Sequence, residues 1–176
     1  MARVPLLDVA DMTPTQRAQF ARFPSNLTRA ILLLDERLAR QLPATANALR
    51  AADLDPAWRE AIILRVAALQ RSAYERFQHL DQARAQGWSA KDIAGVEGGV
   101  FSGLPDGLRK VLTFVDAVVA GPEVADDTVT AARTVLSDQQ LATVIVLVGH
   151  YMTVARYTRI LGVELDDAPD DWTTEH

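Results

Sequence analysis

Two stretches of this sequence are apolar on nearly every face of a helix: Ala61-Ile62-Ile63-Leu64 within Trp58–Leu69, and Leu141–Val148. A surface helix needs only one apolar stripe, so helices of this kind must be enclosed by others. No segment shows sustained period-two alternation, and Pro, Gly and capping residues divide the chain into helix-length pieces. The expected fold class is therefore all-α, about eight helices around a buried helix pair. With 176 residues, 49% hydrophobic and 23% charged, the chain makes one ordinary domain that can bury a core without cross-links.

The punctuation predicts where the helices lie. Thr13-Pro14 opens a short one reaching Phe20 or Phe23. Pro24-Ser25 opens a second, with Leu27, Ala30, Ile31, Leu34 and Leu38 at helical spacing, and Pro43 a third, from Ala44 to about Ala52. Asp55-Pro56 combines a capping side chain with the ring that fits a first turn, and so starts the buried helix. Ser72 starts the next, ending at Gly87, and Ser89 a short one. The glycines at 95, 98, 99, 103 and 107 read as a connector. Helices follow over Leu108–Ala120 and Asp126–Leu136, and the capping-box-like Ser137-Asp138-Gln139-Gln140 opens a last one running to Leu161-Gly162. Residues 1–55 read as a helical extension, 56–165 as the core, and 166–176 as a loose acidic tail.

Composition excludes several kinds of chemistry. Cysteine is absent, so disulfides, thiolate metal sites and any thiol redox cycle run by this chain alone are ruled out. The net charge of −5 is local: Asp166, Asp167, Asp170, Asp171 and Glu175 account for it, and residues 1–165 carry 18 basic against 18 acidic side chains. A neutral body with an acidic tail suits neither nucleic acid nor an anionic membrane, and no predicted helix has a basic face. The opening Met1–Asp8 lacks the pattern of a secretory signal, and Leu141–Gly149 is about half a membrane span, so a cytoplasmic location is expected.

The candidates for chemistry concentrate between Trp58 and His79. Only three histidines exist, and His176 is terminal. Ser72, Glu75 and His79 fall on one helix face, where the Glu75 carboxylate, four residues from His79, would orient the imidazole and favour its protonated form. Glu60 lies in the preceding buried helix, where a carboxylate must be paired or neutral. The same residues fit a purely structural reading. Ser72-x-x-Glu75 is a capping box, Glu75 and His79 can be an exposed helix pair, and Glu60 can pair with Arg65 or another arginine. His150, in a mostly apolar helix, reads as a pocket or core residue. Two carboxylates and one imidazole would also suffice for a metal, a lesser reading; no metal or cofactor is expected.

The run from Arg59 to His79 resembles the carboxymuconolactone decarboxylase and alkyl hydroperoxidase D superfamily. Its redox branch carries a Glu, a Cys twelve residues on, a second Cys after three and a His after four; here those places hold Glu60, Ser72, Glu75 and His79. Tyr74-Glu75-Arg76-Phe77-Gln78-His79 is similar to the Tyr-Glu-x-x-x-His of the decarboxylase-like branch. The likeness extends to Arg65-Val66-Ala67, to Ala83 and Gly87, to Val146–Tyr157, to Leu161–Leu165, and at the N-terminus to Arg3–Leu7 and Asn26-Leu27-x-Arg29.

The resemblance implies acid/base action on a small carboxylated, lactone-type molecule, carboxy-lyase-like or isomerase-like, with no cysteine-based peroxidase activity. On it, His79 is the general acid/base, Glu75 tunes it, and Glu60 is a second acid/base group whose proton affinity burial raises if no arginine pairs with it. Ser72, Tyr74, Arg65, His150 and Arg156 would contribute to substrate binding. It also implies an alkyl hydroperoxidase D-like orthogonal helical bundle, assembled as a homotrimer or hexamer. The alternative is a catalytically silent oligomer of the same fold that binds a small ligand or a partner protein.

Overall fold

The computed structural model describes residues 2–169. Among these the regular structure is helical: α1 (Pro14–Arg22), α2 (Asn26–Ile31), α3 (Glu36–Arg50), α4 (Pro56–Leu69), α5 (Ala73–Ala85), α6 (Ala90–Gly98), α7 (Asp106–Ala120), α8 (Asp126–Arg133) and α9 (Asp138–Leu161). Side-chain caps set most starts. Thr13 and Ser137 form complete capping boxes with Gln16 and Gln140, and Asp55 caps α4 ahead of Pro56.

The expected enclosure of α4 is observed. It packs on α5, α6, α7 and α9, and every residue from Glu60 to Ala67 is buried. Ile62, Ile63 and Leu64 pack with Leu108, Leu112 and Phe114 of α7 and Leu147 of α9 into the main core. A second, smaller core of Met12, Ile31, Leu32 and Ala39 seats the N-terminal segment, with Tyr157 of α9 packed against it. α9 thus spans both cores. It has the length and composition of a marginal membrane span, but Val144, Leu147, Val148 and Val154 are buried within this bundle.

Three expectations are corrected. The periodicity from Leu27 to Leu38 belongs to two helices, because Asp35 accepts from the backbone N–H groups of Arg37 and Leu38 and restarts the chain as α3. Pro43 therefore lies inside α3 and does not open it. A proline there removes the bond to the Ala39 carbonyl, and Gln19 Nε2 donates to that oxygen at 3.3 Å. Gly95 and Gly98 are helical, in α6; Gly99, at φ +75°, ends it, and a Cβ there would lie 2.9 Å from Arg65 Nη2.

The acidic segment is not loose at its start. Asp166 accepts from the Asn26 backbone N–H at 2.6 Å, from Gln78 Nε2 at 3.0 Å and from the Tyr74 hydroxyl. Asp170, Asp171, Glu175 and His176 lie outside the described residues.

A two-residue turn brings α5 back along α4. Ser72 N–H donates to the Ala67 carbonyl and Arg71 N–H to that of Ala68, a Schellman closure with Arg71 at φ +54°. A non-glycine residue in this conformation costs about 1 kcal/mol. The turn sets His79, on the second turn of α5, opposite Glu60 of α4.

Candidate acid/base site

Glu60, Glu75 and His79 converge in the interior, each no more than 5% exposed. His79 Nδ1 lies 2.8 Å from Glu60 Oε2, a hydrogen bond between buried groups. The other ring nitrogen, Nε2, faces Glu75 Oε2 at 4.0 Å, beyond hydrogen-bond reach. The imidazole therefore sits between two carboxyl groups. Its ring edge meets Tyr151 of α9, with centroids 5.1 Å apart and planes at 84°.

The two acids have opposite environments. Burial pushes the Glu60 carboxyl up, but the bond and charge of His79, together with Arg59, outweigh it and hold Glu60 below the ordinary value. Arg59 Nε donates to Glu60 Oε1 at 3.2 Å, and its Nη1 to the Arg50 carbonyl at the end of α3. Glu75 has no such support. Its Oε1 is buried without a hydrogen-bond partner, and burial, only partly opposed by His79, pushes its carboxyl up to about 7. Two carboxyl groups flanking one imidazole with proton affinities pushed apart form an acid/base pair in the general sense.

Glu60, and not Glu75, thus makes the hydrogen bond that orients the ring, and with Arg59 and His79 paired to it its proton affinity is lowered. The Glu75–His79 pair is buried where an exposed helix pair was the structural alternative. The capping box is half formed: Ser72 Oγ accepts from Glu75 N–H at 3.3 Å, while the Glu75 carboxyl turns inward. Glu60 pairs with Arg59 and not with Arg65.

The remaining candidates fall elsewhere. Ser72 is a buried cap whose hydroxyl already serves the start of α5. Tyr74 faces α2 and the C-terminal segment; its hydroxyl accepts from Leu27 N–H at 3.1 Å and bonds Asp166. Arg65 grips Asp116 of α7 through Nε at 2.6 Å and Nη2 at 2.9 Å, donates from Nη1 to the Glu97 carbonyl at 2.8 Å, and lies over the Phe101 ring. It fastens α4 to α6 and α7, so Arg65→Ala is expected to lower unfolding free energy by about 2–3 kcal/mol, measured by urea titration. Arg156 is exposed and bonds Gln70 Oε1 at 3.2 Å. His150 is near the site: it stacks edge-on against Tyr151 at 5.3 Å, and burial together with the charge of His79 lowers its proton affinity.

Sequence reasoning missed Arg59 and Tyr151. Arg59 adjoins Glu60, where helical geometry normally turns neighbours apart; Tyr151 was visible only as the neighbour of His150. Among the described residues no three His, Asp or Glu side chains are arranged to hold a metal ion. The two carboxyl groups meet opposite edges of the ring, so they do not point at one common centre.

The sequence model of the carboxymuconolactone decarboxylase family matches residues 36–102, from α3 through α6 and therefore across the whole Glu60–Glu75–His79 site. Over that segment the chain is similar to the carboxymuconolactone decarboxylase family. No curated protein matches it. Among solved structures, the alkylhydroperoxidase AhpD core of an uncharacterized peroxidase-related protein from Ralstonia eutropha JMP134 superposes with a TM-score of 0.81 at 18% identity, over 94% of this chain and 93% of that one. An uncharacterized peroxidase-related protein from Silicibacter sp. TM1040 gives 0.79 at 16% identity, over 94% of both. A cysteine-to-alanine variant of the debrominase Bmp8, solved with 2,3,4-tribromopyrrole, gives 0.77 at 13% identity, over 96% of both. At these identities the likeness is one of fold.

Proposed function

We propose that this chain is a carboxymuconolactone decarboxylase-like enzyme that acts by proton transfer on a small carboxylated, lactone-type molecule. The observation that carries this reading is the buried row Glu60–His79–Glu75. Glu60 holds Nδ1 and so fixes the tautomer and ring orientation, and Nε2, which faces Glu75, is the nitrogen that gives or takes a proton. Glu75, with a proton affinity near neutrality and a free Oε1, is the complementary donor. The 4.0 Å between them is bridged in turnover by a substrate or solvent oxygen, or by a side-chain approach of about 1 Å. Loss of CO2 from a carboxylated lactone leaves an enol-type anion, and protonation at carbon by this pair completes the reaction. No thiol is required, in keeping with a chain that has no cysteine.

The test is turnover of a panel of small carboxylated lactones, carboxymuconolactone first, by the parent and by a His79→Ala variant shown to keep its fold and oligomeric state. A fall of about a hundredfold is expected. Turnover within threefold of the parent removes His79 from the mechanism. A second reading, a silent ligand- or partner-binding oligomer, is favoured by the near-complete burial of all three groups. Parent protein inactive on the whole panel would select it.

We also propose self-association to a trimer or hexamer. Ile145 (46% exposed) and Val146 (53%) lie on α9 beside the exposed Ala142 and Gly149, opposite its buried Val144, Leu147 and Val148, so α9 presents an apolar face at which a second helix can approach closely. Light scattering is expected to show an oligomer at micromolar concentration, and Val146→Glu to shift it toward monomer. A monomeric parent would contradict the proposal.

A further inference from the structure

A cavity of about 70 Å³ lies between α2, α3 and α9, walled by Phe23, Ile31, Leu42, Pro43 and Val154, with His150 facing it. Beside it a wider cleft of about 420 Å³ shares Phe23, Ile31 and Pro43 and carries Arg22, Arg40 and Gln19, with no acidic residue in its lining. The two voids adjoin through these shared walls as one two-chambered pocket, here the funnel, apolar in the smaller chamber and with arginines at the edge of the larger. Pro43 helps to keep it open: it fits within α3 because Gln19 reaches the carbonyl it frees, and its ring forms part of both walls.

Two polar groups of the funnel are uncommitted. Neither ring nitrogen of His150 hydrogen-bonds another described residue, and its lowered proton affinity leaves it a neutral imidazole that can donate or accept. Arg22 makes no ion pair among the described residues, whereas Arg40 is held by Glu36. The smaller void lies near the Glu60–His79–Glu75 row without including it: His150 packs on Tyr151, and Tyr151 on His79.

We propose that this funnel binds a small carboxylic acid with an apolar body, the body enclosed by Phe23, Ile31, Leu42 and Val154, the carboxylate toward Arg22, and a carbonyl or ether oxygen against His150. A few enclosing apolar side chains with a small number of convergent polar groups are what a small-ligand site requires, and a free guanidinium at the rim selects an anion. The binding does not depend on the acid/base reading, since none of Glu60, Glu75 and His79 lines either void.

The test uses full-length protein and 4-fluorobenzoate, followed by fluorine NMR, with neutral 4-fluorobenzyl alcohol alongside. Saturable binding with a Kd of about 5 mM or tighter is expected for the acid. Ala46→Phe and Leu42→Phe, each checked for fold by circular dichroism, are expected to weaken both probes by about tenfold by filling the cavity. Arg22→Gln should weaken the acid by about threefold and leave the alcohol unchanged. Backbone amide shifts of the parent should concentrate at Phe23, Leu42, Ala46 and Val154. Absence of saturable binding, shifts concentrated elsewhere, or acid binding indifferent to Arg22→Gln overturns the proposal. His79→Gln should bind the acid as the parent does. Loss of turnover in that variant with no binding at the funnel defeats this proposal alone, whereas funnel binding with turnover indifferent to His79 defeats the acid/base reading alone.

Discussion

Glu75→Gln is expected to stabilise the protein increasingly as pH rises from about 5 to about 8, while lowering lactone turnover about a hundredfold or more. In the folded protein burial raises the Glu75 carboxyl from its ordinary 4.5 to about 7. Below 4.5 the group is protonated in both states and contributes nothing to the pH dependence. Between these values the folded state binds the extra proton, so stability falls with rising pH, and the loss is complete above 7. A shift of this size corresponds to about 3 kcal/mol. Glutamine has nearly the same volume and does not titrate, so its own burial cost is independent of pH. Glu60 has the opposite dependence: its lowered proton affinity stabilises the fold above pH 4.5, and that contribution fades as pH falls through the folded value. It is common to parent and variant and cancels in the difference. Urea unfolding of both proteins at pH 5 and pH 8 therefore isolates Glu75; a stability difference that does not change between the two pH values would show that Glu75 is solvated or paired. A gain in stability accompanied by a loss of turnover is the signature of a group retained against the interest of the fold.

The architecture was legible because α4 and α9 are apolar all round and because Asp55-Pro56, Ser72, Ser89 and Ser137 each cap the helix they announce. Boundaries failed where a long-range partner overrode a local rule. Pro43 is tolerated within α3 by Gln19, which is 24 residues away in sequence, and the α4–α5 turn uses Arg71 in a conformation that sequence rules reserve for glycine. Within the site, the spacing of Glu60, Glu75 and His79 suggested their company but not their roles. Helical neighbours at i and i+4 are the obvious pair, and so Glu75 was assigned to orient His79. The Schellman closure instead places Nδ1 against Glu60, leaving Glu75 at the other ring edge. Arg65 and Tyr74 illustrate the converse. Both are polar residues near the site in sequence, yet each is turned to the far side of its helix by a stronger partner, Asp116 and Asp166 respectively.

Replacing Glu60 by alanine is expected to destabilise the protein by about 3–5 kcal/mol, the largest single loss from any polar residue of the site. Glu60 accepts from His79 at 2.8 Å and from Arg59 at 3.2 Å while itself 3% exposed, so its removal leaves a buried imidazole and a mostly buried guanidinium facing a void. The cost has two parts, the unsatisfied donors and the cavity. Glu60→Gln separates them: it fills the volume and retains one acceptor oxygen but loses the charge, and is expected to cost about 1–2 kcal/mol. The asymmetry with Glu75 is the decisive point. If both acids were structural, removing either would weaken the fold; if both were exposed, neither would. The opposed environments require that Glu60 support the fold and Glu75 oppose it above neutral pH. Denaturant unfolding at pH 8 reads both signs in one experiment, and Glu60→Ala within 1 kcal/mol of the parent would show that the Glu60–His79 bond does not hold the ring in solution.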